Sequence, residues 1–157
     1  MAESGLYLCG MSHLPVKIVN RSNNPLPEYA TAGASGLDLR AFLPESVSLA
    51  PGQRLLIPTG LFIELPSGYE AQIRPRSGLA WNQGVTCLNT PGTIDADYRG
   101  EIKVLLINHS DVPCILENGD RIAQLVVQRV ERISWQVGET LLETSRAEGG
   151  FGHTGKK

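Results

Sequence analysis

Seventeen glycines and ten prolines are scattered through a chain of 157 residues, and their spread narrows the available folds more than any other feature. Proline removes a backbone donor and blocks a helix interior, and glycine costs a helix about 1 kcal/mol against alanine. Long helices are therefore excluded, whereas turns between short strands need both residues. The apolar runs agree. They are short, rich in Val, Ile and Leu, and bounded by turn residues at roughly the 8–12-residue spacing of a sandwich or barrel. Strands are expected at Val16–Val19, Gly36–Ala41, Val47–Leu49, Arg54–Glu64, Tyr69–Arg74, Val85–Leu88, Glu101–Asn108, Cys114–Leu116, Ile122–Val130 and Ser134–Val137. This pattern predicts an all-β, jelly-roll-like fold. The one helical expectation is a turn or two at Leu79–Gln83 with Ser77 as its N-cap.

Composition restricts the function classes. Hydrophobic residues at 41% and charged residues at 19% argue against disorder and against a coiled coil, and the length fits one domain. A net charge of −2 builds no field for wrapping a polyanion, so nucleic acid is not an expected partner and any phosphate must be bound locally. Cys9, Cys87 and Cys114 form no C-x-x-C pair, which points to a reducing, cytoplasmic setting. The apolar stretch Leu6–Cys9 is too short for a signal peptide or a membrane span. Residues 1–13 read as a disordered extension, 14–145 as the β domain, and 146–157 as a glycine-rich mobile arm.

Five segments carry possible chemistry. The tail RAEGGFGHTGKK contains Gly150-x-Gly152-x-x-Gly155, but no helix follows to present the amides that a dinucleotide fingerprint or P-loop requires. It reads either as a frayed end or as a lid whose glycine amides wrap a polyphosphate. PRSGLA (75–80) sets a guanidinium, a hydroxyl and a turn glycine where a strand enters a helical turn, a compact anion site or an ordinary surface turn. GTIDADYRGE (92–101) crowds acids, a tyrosine and an arginine between glycines, as a catalytic loop or a solvated hairpin tip. In ASGLDLRA (34–41), Asp38 alternates with two leucines and faces away from them. GDRIAQL (119–125) opens an apolar strand with a turn, Arg121 and Gln124.

In order and together, these five segments resemble the signature motifs of the trimeric deoxyuridine triphosphatase family, over most of residues 14–157. One departure is Ala147, where many members carry glycine. The resemblance implies a distorted β-barrel that hydrolyses dUTP to dUMP and pyrophosphate, limiting uracil in DNA and supplying dUMP for thymidylate. It implies Asp95 as the general base that takes a proton from the attacking water, and Mg2+ held mainly by the substrate's phosphates with Asp38 on its water shell. Arg76, Ser77 and the Gly78 amide would clamp phosphate with Gln124, and Arg146 would close over the γ-phosphate. The segment Gly84 to Tyr98 would form a hairpin whose main chain, around Thr93 and Ile94, reads the uracil edge together with the Asn89 side chain, and the Lys103 backbone would complete the contact. Tyr98 would lie beneath the deoxyribose and exclude a 2′-hydroxyl, and Phe151 would stack on the base. A homotrimer with shared sites is implied, with no membrane partner. The related dCTP deaminase branch shares the fold but releases ammonia; Asp95 with Tyr98 and the Phe151 arm favour phosphohydrolysis.

Overall fold

The computed structural model describes residues 13–150. Its elements are β1 (Lys17–Asn20), β2 (Leu37–Arg40), β3 (Val47–Leu49), β4 (Arg54–Glu64), β5 (Tyr69–Arg74), α1 (Ser77–Gln83), β6 (Val85–Cys87), β7 (Gly92–Ile94), β8 (Ile102–Asn108), β9 (Cys114–Leu116) and β10 (Arg121–Arg129). Among the described residues α1 is the only helix, and the architecture is all-β as expected. Three antiparallel sheets form, in the orders β1-β4-β8-β6, β2-β10-β5-β7 and β3-β9.

Strand alternation builds the core between the sheets. β8 buries Ile102, Val104, Leu106 and Asn108 while Lys103 between them is exposed, the period of two that a half-buried strand requires. In β10 the neighbours Ile122 and Ala123 are both buried, because the ladder slips between Arg121 and Ala123. β4 tolerates Pro58 by a similar device. Its register to β8 shifts between Pro58 and Leu61, with Gly60 at φ +70. Side chains meet the polar groups exposed there: Thr59 Oγ1 donates to the Ile102 carbonyl at 2.6 Å and accepts from Leu61 N at 3.2 Å, and Gly60 N donates to Glu101 Oε1 at 2.9 Å.

One corner is built twice. β1 ends at Asn20 and β8 at Asn108, and each amide oxygen accepts from the backbone N and the hydroxyl of the serine two residues on, Ser22 or Ser110, at 2.7–2.9 Å. Each amide nitrogen donates to the carbonyl four residues on, Asn24 or Val112, at 2.8 Å. Arg21 N donates to the Gly60 carbonyl and His109 N to that of Gly84, both at 2.8 Å. The copies differ in depth: Asn20 is partly buried, whereas Asn108 is fully buried and also donates to the Leu49 carbonyl at 2.9 Å.

Three expectations need correction. Ser134–Val137 is not a strand; from Glu131 to Gly150 the chain forms neither strand nor helix, and the alternating Ile133, Trp135 and Val137 find no ladder partner among the described residues. Ser77 does not cap α1. Arg76 holds the N-cap position with no side-chain cap bond, and Ser77 is already the first helical residue, since α1 starts two residues before the expected Leu79. The segment from Gly84 to Tyr98 is not a ladder-paired hairpin: β6 joins β8 in one sheet while β7, an unanticipated strand, joins β5 in the other.

Candidate active site

The order β2-β10-β5-β7 sets four of the sequence segments on adjacent strands. ASGLDLRA occupies β2, GDRIAQL opens β10, PRSGLA leaves the end of β5, and GTIDADYRGE contains β7. Gln124 on the central strand pairs with Asp38 on one side and Arg74 on the other, which brings three segments to one end of the sheet. There Arg76 Nε donates to Asp38 Oδ1 at 2.9 Å, Arg121 Nη1 donates to Asp38 Oδ2 at 3.1 Å, and Arg76 Nη1 donates to the Arg121 carbonyl at 3.1 Å. Gln124 Nε2 donates to the Pro75 carbonyl at 2.9 Å, tying the approach to Arg76 onto β10.

This end can bind an anion. One carboxylate faces two guanidiniums, so a positive charge remains uncompensated, and Arg76 spends two of its five N–H donors on the protein. Ser77 and Gly78 are exposed beside it at the start of α1, with open space above Gly78. Arg121 was noted in the sequence but assigned no role. Its signal lies in a through-space pair 83 residues apart, which no local pattern displays.

Asp95 lies elsewhere. β7 pairs Gly92 with Ile73 and Ile94 with Ala71, so Asp95 leaves the sheet near the start of β5 while Arg76 follows its end. At ~3.3 Å per residue along a strand and ~4.8 Å between strands, Asp95 stands roughly 20 Å from the Asp38–Arg76 pair. Asp95 opens a turn, its carbonyl accepting from Tyr98 N at 3.1 Å, and together with Asp97, Arg99, Glu70 and Arg132 it lines an open cleft of about 520 Å³. Tyr98 is partly exposed, with its hydroxyl donating to the Glu101 carbonyl at 3.1 Å. Asn89 and Thr93 are exposed and Ile94 is half-buried; Lys103 lies in the other sheet, paired with Pro58 and 3.7 Å from the Glu101 carboxylate.

Among the described residues Arg146 Nε donates to the Gly149 carbonyl of its own turn, at 2.8 Å, and Phe151 lies outside them. Ala147 adopts φ +42, a left-handed conformation that suits glycine better. Burial pushes the Cys87 thiol up to about 11 and raises that of Cys114, with the nearby Asp120 charge adding to the second, so neither offers a ready thiolate.

A family model described as dUTPase matches residues 22–155. The chain belongs to the dUTPase family. It is 60% identical over 141 residues to the deoxyuridine 5'-triphosphate nucleotidohydrolase of Cytophaga hutchinsonii, covering 90% of this chain and 92% of that protein. It is 57% identical over 136 residues to the Chlamydia trachomatis enzyme of the same name, covering 86% and 94%. Among solved structures, a mutant dUTPase of Staphylococcus bacteriophage 80alpha with dUpNHpp matches at a TM-score of 0.78 and 23% identity, covering 90% of this chain and 98% of that one. A dUTPase from S. aureus phage phi11, described with a structural Mg(II) ion, matches at a TM-score of 0.73 and 20% identity, covering 82% and 99%. These structures share the fold of this dUTPase-family chain.

Proposed function

We propose that this chain hydrolyses dUTP to dUMP and pyrophosphate, in pockets that each draw on more than one copy of the chain. The observation that carries the reading is the split of the family segments. An arginine-rich anion site lies at one end of β5 and the acidic turn of Asp95 at the other, too far apart to serve one phosphorus within one chain. A homotrimer with shared sites resolves that geometry. It also gives the exposed Ile133, Trp135, Val137, Leu141 and Leu142 a surface to cover on a neighbour.

In this reading Arg76, Ser77 and the Gly78 amide hold phosphate oxygens, and Gln124 supports them from β10. Asp38 keeps Arg76 oriented, as a carboxylate can while its remaining lone pairs accept from water around a metal ion. Among the described residues no three His, Cys, Asp or Glu side chains gather as a cage, a donor set suited to a hydrated Mg2+ that arrives chelated by the triphosphate. Bound there, Mg2+ supplies charge neutralisation of the phosphate oxygens.

Asp95 of another copy takes a proton from water as its oxygen attacks the α-phosphorus, and pyrophosphate leaves with the α–β bridging oxygen. Asn89, with the main chain of Thr93 and Ile94 and of Lys103, recognises uracil. Each group left unpaired by cytosine costs about 1–3 kcal/mol. Tyr98 excludes ribose, while the 146–157 arm closes over the site with Arg146 at the γ-phosphate and Phe151 on the base. Residues 14–145 form the catalytic domain, 1–13 an extension outside it. The free thiols of Cys87 and Cys114 suit a reducing cytoplasm.

The test is direct. Protein with dUTP and Mg2+ yields dUMP and pyrophosphate, and Asp95→Asn loses turnover while retaining nucleotide binding. Ammonia released from dCTP, or a fully active Asp95→Asn, overturns the assignment.

A further inference from the structure

Two kinds of glycine in this fold resist a side chain, and only one does so through its backbone conformation. Gly52, Gly60, Gly68, Gly84 and Gly119 have φ between +66 and +90, where a side chain strains the main chain. Gly36, Gly92 and Gly100 have no such φ, so any residue could adopt their conformation. What they lack is room. A Cβ on Gly36 would lie 2.2 Å from Gln124 Oε1, one on Gly92 2.9 Å from Asn89 Nδ2, and one on Gly100 2.3 Å from the Tyr98 hydroxyl. Real Cβ atoms essentially never approach another heavy atom within 3.0 Å. In all three cases the first atom met is the polar end of a side chain that the proposed function assigns to phosphate, base or sugar.

We propose that Gly36, Gly92 and Gly100 are positioning residues, notches in the main chain that set the rotamers of Gln124, Asn89 and Tyr98. The inference deepens the dUTP reading and rests on it for the three substrate parts. The Tyr98 notch is the most fully built. Its hydroxyl is held by the Glu101 carbonyl, and Glu101 is itself anchored by its carboxylate to Gly60 N in the β4 bulge. The ring is thus tethered at its tip by Glu101, just before β8 and itself held to β4, and lies in the space that a residue-100 side chain would fill. A methyl there clashes with Cζ at 2.5 Å and Cε2 at 2.9 Å as well. Swinging the half-exposed ring aside relieves the clash at little cost to the fold, and removes the surface on which the sugar rests. At Gly36 the displaced Gln124 would release Pro75, the residue before Arg76.

The test measures selectivity against stability. Gly100→Ala should melt near the wild-type temperature yet lose about tenfold or more of the dUTP-over-UTP ratio in kcat/KM, with the dUTP-over-dCTP ratio retained. Gly92→Ala should show the converse. Gly52→Ala, where φ +71 strains any side chain far from the three notches, should lower the melting temperature and leave both ratios unchanged. In a Tyr98→Ala background Gly100→Ala should add nothing, since the two residues act as one unit. Without nucleotide, the labelled Tyr98 ring resonance should shift in Gly100→Ala, a readout that survives even if wild type fails to hydrolyse dUTP. An unmoved resonance, an intact sugar ratio, or an undiminished Gly100→Ala effect in the Tyr98→Ala background overturns the proposal.

Discussion

Separation of Asp95 from Arg76 makes a numerical prediction about mixed oligomers. β7 lies antiparallel to β5 with Ile94 opposite Ala71, and Arg76 follows the far end of β5, so the two groups are roughly 20 Å apart within one chain. Side chains stand off the sheet faces, so neither can close the gap along the strand. If a working pocket takes Asp95 from one chain and Arg76 from another, Asp95→Asn and Arg76→Ala chains complement when co-expressed at equal levels. Each position is intact with a chance of one half, independently, so about a quarter of the pockets are complete. A pocket built within one chain gives none. Co-expressing the double variant with wild type sharpens the contrast: shared pockets again give about a quarter of wild-type activity, single-chain pockets about half. Differently tagged chains allow mixed oligomers to be purified, and pyrophosphate release measures the active fraction. No recovery in the first mixture, with half activity in the second, would refute the geometric argument.

The duplicated corner predicts unequal costs for equal chemistry. Asn108→Ala removes the donor to the buried Leu49 carbonyl and the acceptor for Ser110 N, for about 2–4 kcal/mol, while the exposed Val112 carbonyl keeps the Ser110 hydroxyl; water replaces the partly buried Asn20, and Asn20→Ala costs about 1 kcal/mol. Urea unfolding at fixed protein concentration measures both, and equal losses would show that depth is not the deciding variable. Cys87 sets an alkaline limit. Its thiol ionises near 9 when exposed and at about 11 in the fold, so its contribution is complete below pH 9 and disappears as pH rises through 11. Two units amount to on the order of 2–3 kcal/mol. Stability curves from pH 8 to 11 should therefore fall less steeply for Cys87→Val than for wild type, and parallel curves would exclude the buried thiol.

Signals carried by neighbouring residues were legible in this sequence, and signals carried across space were not. Alternation marked β3, β4, β5 and β9 to the residue, because a strand's period is written in consecutive positions. It missed β7, which opens on a glycine between Pro91 and the acidic Asp95–Asp97 stretch and so reads as part of a turn. The motifs supplied the candidate site residues, yet not that Arg121 would share Asp38 with Arg76, nor that Glu101 would hold the β4 bulge together. Ser134–Val137 is the instructive error. The alternation of Ile133, Trp135 and Val137 is real, but a strand is a relation between two segments, and these side chains face solvent, with Val137 fully exposed. Apolar residues repeated at that period and left uncovered by their own chain are what an intermolecular contact writes into a sequence. Under the proposed function the expected strand and the split site have one answer in common: a neighbouring copy that covers the 131–142 segment and brings the Asp95 turn to the Arg76 end of β5.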